Sequence, residues 1–85
     1  MYQVLFTTKA KKQFSKLEKN VQERIMNALE RLRFNPERYI TKLVTSKLFR
    51  LRVGDYRILL DLKKEKLLVL VVEVGHRKNI YKKID

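Results

Sequence analysis

The sequence contains no cysteine. Disulfides, thiolate zinc sites and a cysteine nucleophile are therefore excluded. One histidine is present, His76, too few for a histidine metal cluster. Neither a metal nor a cofactor is expected. The only glycines are Gly54 and Gly75, so no glycine-rich phosphate loop can be built. No long apolar run of a signal peptide or membrane helix opens the chain. A soluble, cytoplasmic protein with no membrane partner is the expectation. Paired carboxylates on one cleft face are missing too. Asp55 falls in a turn, Asp61 on a basic strand face and Glu73 near a strand end.

Acidic residues are scarce. There are 9 Asp and Glu against 21 Lys and Arg, a net charge of +12. That imbalance repels itself in a compact state and suits an anionic partner, nucleic acid or an acidic protein. The 85 residues fit a single domain, 1–85, with one core. The 45% of hydrophobic residues can fill it. At this size a partner protein can add stability.

The order of elements follows from periodicity. Tyr2 to Phe6 alternates as a strand. Thr7 or Thr8 can cap the helix that follows. Ala10, Phe14 and Leu17 form its apolar stripe, with Lys9, Lys12 and Lys16 on its other face. A second helix is expected from Asn20, where Asn20 to Glu23 has the spacing of a capping box. Its stripe is Val21, Ile25, Ala28, Leu29 and Leu32. Asn35-Pro36 stops it, because the residue before proline is pushed out of helical geometry. Residues 37–47 read as a loop, with room for one helical turn. Three strands follow: 48–53, 56–62 and 67–74. The architecture is α+β, a β-α-α-β-β-β order. Two antiparallel helices cover one face of a small, mostly antiparallel four-stranded sheet.

The stretch Phe49-Arg50-Leu51-Arg52-Val53-Gly54-Asp55-Tyr56-Arg57 is the most informative. Gly54-Asp55 is a two-residue type II′ turn signal. It places Arg52 opposite Arg57 and Arg50 opposite Leu59, with all three arginines on one sheet face. Like charges directly opposite destabilise a sheet, so a ligand of opposite charge is the natural reason to keep them. A tight second turn at 63–66 would pair Leu62 with Leu67 and Leu59 with Leu70. The face that carries the arginines then also carries Leu59, Asp61, Leu68, Leu70 and Val72. No helix is left to cover it, and an open apolar patch marks a binding site. Its basic end is expected to bind an anion and its aliphatic end a protein.

Beyond Gly75, Arg77 emerges at the sheet end and Tyr81 follows. Arg50, Arg52, Arg57, Arg77, His76 and Tyr81 suit chemistry on phosphate. Arginine forks grip phosphate oxygens and never lose their charge. They stabilise charge that develops in a pentacoordinate transition state. An RNA substrate carries its own nucleophile, the 2′-hydroxyl, so the protein need only align it and neutralise charge. Tyr81 can stack on a base. Lys9, Lys12, Lys16, His76 and Lys78 form the wider polyanion footprint.

Leu48 to Arg57, the apolar strand after it, and Val74-Gly75-His76-Arg77 with Tyr81 downstream resemble the RelE/ParE toxin superfamily, most nearly its RelE-type toxins. The front half, with Asn35-Pro36-Glu37-Arg38 ahead of the sheet, fits the same family. The resemblance implies a RelE-like fold and a toxin of a type II toxin–antitoxin system. It implies a ribosome-dependent, metal-independent mRNA endoribonuclease, an mRNA interferase. Such an enzyme cuts mRNA in the ribosomal A site by 2′-hydroxyl attack, leaves a 2′,3′-cyclic phosphate and inhibits translation. On this analogy Arg57 and Arg77 stabilise the transition state. Tyr81 stacks on or orients the base, and Arg50 or Arg52 takes the phosphate-binding or general-base position. Some members carry lysine at those last two positions, and arginine does not deprotonate in proteins. The implied partners are the ribosome, mRNA and a small acidic RelB-like antitoxin in a hetero-oligomeric complex. The antitoxin would lay a helix on Leu59, Leu68, Leu70 and Val72. Two alternatives stand beside this reading: a ParE-type toxin that inhibits DNA gyrase without cleaving RNA, and a basic RNA-binding module without activity.

Overall fold

The computed structural model describes residues 1–78. Tyr81, expected in the site, lies outside the described residues. The order is β1 (Gln3–Phe6), α1 (Thr8–Ser15), α2 (Lys19–Leu32), β2 (Ile40–Lys42), β3 (Phe49–Val53), β4 (Tyr56–Lys63) and β5 (Leu68–His76). The strands form one sheet in the order β1-β5-β4-β3-β2. β1 runs parallel to β5, and the other neighbours are antiparallel. No helix among these residues is long and apolar enough to cross a membrane.

The sheet has five strands, not four. The extra one is β2, in the segment read from sequence as a loop. After α2, Pro36–Arg38 makes one turn of 3-10 helix. Ile40, Thr41 and Lys42 then pair with Leu51, Arg50 and Phe49. Three residues, two of them polar, are too few to show alternation, which is why the strand was missed.

Thr7 caps α1, its hydroxyl accepting from the Ala10 amide at 3.1 Å. The cap expected at Asn20 is not used. α2 begins at Lys19 after Glu18, with no side-chain cap bond, and Asn20 Oδ1 instead accepts from the Val21 amide at 3.0 Å. The α2 stripe of Val21, Ile25, Ala28, Leu29 and Leu32 is buried as expected. It packs on Leu51, Val53, Ile58, Leu60, Val69, Val71 and Val74. Phe14 meets Phe6 edge to face, 5.4 Å between centroids.

The first hairpin holds its expected register: Val53 with Tyr56, Arg52 with Arg57, Leu51 with Ile58 and Arg50 with Leu59. Gly54 has φ +57° and Asp55 is not in the positive-φ region. That separates the II′ turn from I′, which needs positive φ at both central positions.

The second hairpin corrects the expected register. Lys64–Lys66 form a 3-10 turn and Leu67 adopts φ +50°, so Leu67 is part of the turn and not of the strand. Leu62 pairs with Val69, and Asp61 with Leu70. A β-bulge then adds one residue in β5, Val72, between Val71 opposite Leu60 and Glu73 opposite Leu59. Lys64 donates to Glu37 at 3.0 Å. That bond and the Glu37 charge raise its amine above the usual lysine range. Both ends are exposed, so the pair adds little.

Leu67 holds a left-handed conformation that costs an L-residue roughly 1–2 kcal/mol. Leu67→Gly is expected to raise stability by about 0.5–1 kcal/mol, read as a higher urea midpoint with unchanged m-value.

Candidate nucleic-acid interface

The register decides which side chains meet. On the face away from the helices, β3 brings Arg50 and Arg52, and β4 brings Arg57, Leu59 and Asp61. β5 brings Leu68, Leu70 and, beyond the bulge, Glu73 and Gly75 opposite Leu59 and Arg57. β1 adds Gln3 and Leu5 opposite Leu68 and Leu70.

Arg52 does stand across from Arg57, and the two live in different surroundings. Arg52 is exposed and Arg50 half-buried. Arg57 is only 1% exposed. Its Nη1 donates to the Gly54 and Tyr56 carbonyls, 3.1 Å each. It braces the hairpin from the same face on which Arg52 meets solvent. Burial of one guanidinium against backbone carbonyls is how the fold tolerates the opposed pair.

Arg77 is brought to the same end. Its backbone amide donates to the Asp55 carbonyl at 2.8 Å, which ties the end of β5 to the hairpin turn. Its side chain is exposed. His76 pairs with Tyr56, and their rings meet edge to face at 5.4 Å. His76 Nδ1 accepts from the Lys78 amide at 3.2 Å. Arg50, Arg52 and Arg57 thus share the open face and Arg77 follows at its hairpin end, whereas His76, opposite Tyr56, lies on the helix side, and Lys78 follows it.

Of the helix lysines, Lys12 and Lys16 are exposed. Lys9 is held by Glu73 at 2.9 Å. Glu73 was missed from sequence. It read as a strand-end acid, and only the bulge turns it onto the arginine face, where it is 92% buried (8% exposed). No sequence signal announces a bulge in a run of valines.

The aliphatic end needs one correction. Leu59 is 4% exposed, flanked by Arg50 and Glu73, so it supports the patch and offers no docking surface. Leu68, Leu70 and Val72 are half-buried. Leu5 of β1, opposite Leu70, is 44% exposed and joins them. Its role was hidden because the parallel pairing of β1 with β5 is not legible from β1 alone.

Chemically, this end can hold a phosphate by several forks and stabilise added negative charge, and the aliphatic end can seat an apolar helix face.

Residues 4–81 match the family of ParE toxins of the type II toxin–antitoxin system parDE. The toxin–antitoxin complex RelBE2 from Mycobacterium tuberculosis is similar over 89% of this chain and 98% of that one, at 30% identity and TM-score 0.81. The intact RelBE toxin–antitoxin complex from E. coli is similar over 89% of this chain and 96% of that one, at 28% identity and TM-score 0.77. The isolated E. coli RelE toxin shares the fold over the full length of both chains, at 24% identity and TM-score 0.78. No curated protein matches by sequence.

Proposed function

The chain belongs to the ParE toxin family of type II toxin–antitoxin systems, within the RelE/ParE superfamily and with a RelE-like fold, and on that premise we propose that it is a ribosome-dependent mRNA endoribonuclease of the RelE kind. The observation that carries this reading is the bond from the Arg77 amide to the Asp55 carbonyl, 2.8 Å. It joins two distant arginine segments at one end of a face that no helix among the described residues covers. In the proposed reaction the 2′-hydroxyl loses its proton and its oxygen bonds to the adjacent phosphorus. The bond to the 5′-oxygen breaks, and that oxygen leaves with a proton. A 2′,3′-cyclic phosphate and a 5′-hydroxyl remain. Arg77 and Arg52 hold the phosphate oxygens from the exposed side. Arg57 fixes the turn and adds its charge from beneath, with Arg50 beside it. The proton goes to a group other than arginine. Tyr81 is proposed to stack on a base near the cut.

The test is a purified ribosome carrying a defined mRNA in its A site. Cleavage there, and none of the same RNA free in solution, is the expected result. Uncut message on the ribosome would favour the ParE reading, which the family match itself supports.

We also propose that an acidic antitoxin helix docks on Leu5, Leu68, Leu70 and Val72 and screens the arginines, in a hetero-oligomeric complex. Leu70→Glu is expected to weaken the antitoxin by about tenfold or more, measured by titration calorimetry. Cleavage without antitoxin should persist.

A further inference from the structure

The arginine face does not account for all of the strong charge. β2 pairs only with Phe49 to Leu51. Arg52 and Val53 therefore end β3 with no paired strand residue on their outer side among the described residues, and α2 lines that notch. A groove of about 310 Å³ opens there, lined by Arg24 and Arg31 of α2 together with Arg52 and Gly54. Arg24 lies directly over the turn: its Nη2 is 2.5 Å from where a Cβ on Gly54 would stand. No carboxylate among the described residues forms an ion pair with Arg24, Arg31 or Arg52. The unneutralised guanidinium groups of Arg24 and Arg31 on this groove raise each other's energy unless an anion enters.

The groove runs into a second hollow of about 500 Å³ through Arg31. Phe34 and Tyr39 line it, and they are 68% and 41% exposed. Its carboxylate, Glu30, is taken by Arg33 at 2.8 Å. Arg24, Arg31 and Phe34 follow at helical spacing, so one face of α2 and its extension presents two arginines and then a ring. From 24 to 34 is about 15 Å of helix.

We propose that this strip is a second RNA-binding site, which grips phosphodiester oxygens with Arg24 and Arg31 and stacks an unpaired base on Phe34 or Tyr39. Arginine forks match phosphate, and exposed rings beside them are the platform of single-strand binders. An acidic peptide would use the arginines but leave both rings exposed, so RNA is the better fit. The inference does not rest on cleavage, because a strand can be held here whether or not it is cut elsewhere.

The probe is a labelled single-stranded RNA of roughly twelve nucleotides, 2′-O-methylated so that it cannot be cleaved, titrated with the full chain by fluorescence anisotropy. R24E/R31E is expected to bind at least about tenfold more weakly. Its dependence of log K on log salt should be shallower by about 1.4, two phosphate contacts at about 0.7 each. F34A/Y39A is expected to lose about tenfold with the salt slope unchanged. K64E/K66E carries the same charge change at the far end of β4 and should lose less than about threefold. R24Q/R31Q replaces the charge-reversed pair if thermal unfolding shows that the latter does not fold. Equal losses in R24E/R31E and K64E/K66E would overturn the site. So would wild-type RNA affinity in a folded R24E/R31E or R24Q/R31Q.

Discussion

Arg77→Ala is expected to slow cleavage of ribosome-bound mRNA by about a hundredfold to a thousandfold, the usual effect of losing one preorganised charge-stabilising group. The fold should not change. The side chain is exposed, and the bond that places residue 77 is made by its backbone amide to Asp55, which alanine keeps. Thermal stability should stay within about 0.5 kcal/mol of the parent. Antitoxin affinity should stay within a few-fold, because the apolar patch of Leu5, Leu68 and Leu70 is untouched. Arg57→Ala is a different experiment. Arg57 is 1% exposed and donates to the Gly54 and Tyr56 carbonyls. Removing it deletes two charge-assisted hydrogen bonds to part-buried carbonyls, at roughly 1–3 kcal/mol, so activity and stability should fall together. Growth arrest on expression reads the first loss, and a denaturation curve separates the second. Arg77→Ala relieving arrest at unchanged stability is the outcome that assigns the chemistry to charge and not to folding.

Leu60→Ala should give the largest loss of stability. Leu60 is fully buried on β4, the third of five strands, against the helix side of the sheet. It sits beside the bulge, where Val71 opposes it and Val72 is the extra residue. The truncation removes transfer energy and leaves a cavity that a bulged neighbour is poorly placed to fill, at about 2–5 kcal/mol. An 85-residue chain has a total stability of roughly 4–13 kcal/mol, so the variant approaches the threshold for folding at 37 °C. Differential scanning calorimetry should show a sharply lower midpoint. Added antitoxin should raise it again, since a ligand of the native state stabilises by mass action. A midpoint lowered by less than the equivalent of about 1 kcal/mol would mean that the core closes around the gap.

Much of this was legible in the sequence where local rules are strong. The Gly54-Asp55 turn set the register of β3 against β4, because glycine at that place leaves little choice of turn. The α2 stripe was legible because five apolar positions repeat at helical spacing. β2 was not, since three residues carry no period. The β4–β5 register was not, because Leu67 takes a left-handed conformation that leucine does not advertise. That one displacement decided the site. A bulge among valines turned Glu73 toward the arginines and left Leu59 buried. It also changed what the opposed Arg52 and Arg57 mean, since one is a brace and the other a surface contact. Arg24 and Arg31 gave no sign either, because charged residues on a helix read as an ordinary solvated face until the strand end is placed beside them.

The most direct test of the central claim is to map RNA 3′ ends in cells after induction of this chain, with Arg77→Ala in parallel and plasmid supercoiling measured in the same samples. New ends within translated codons that carry 2′,3′-cyclic phosphate, lost in Arg77→Ala, with supercoiling unchanged, are the expected result. Growth arrest with intact message and relaxed plasmid would contradict it.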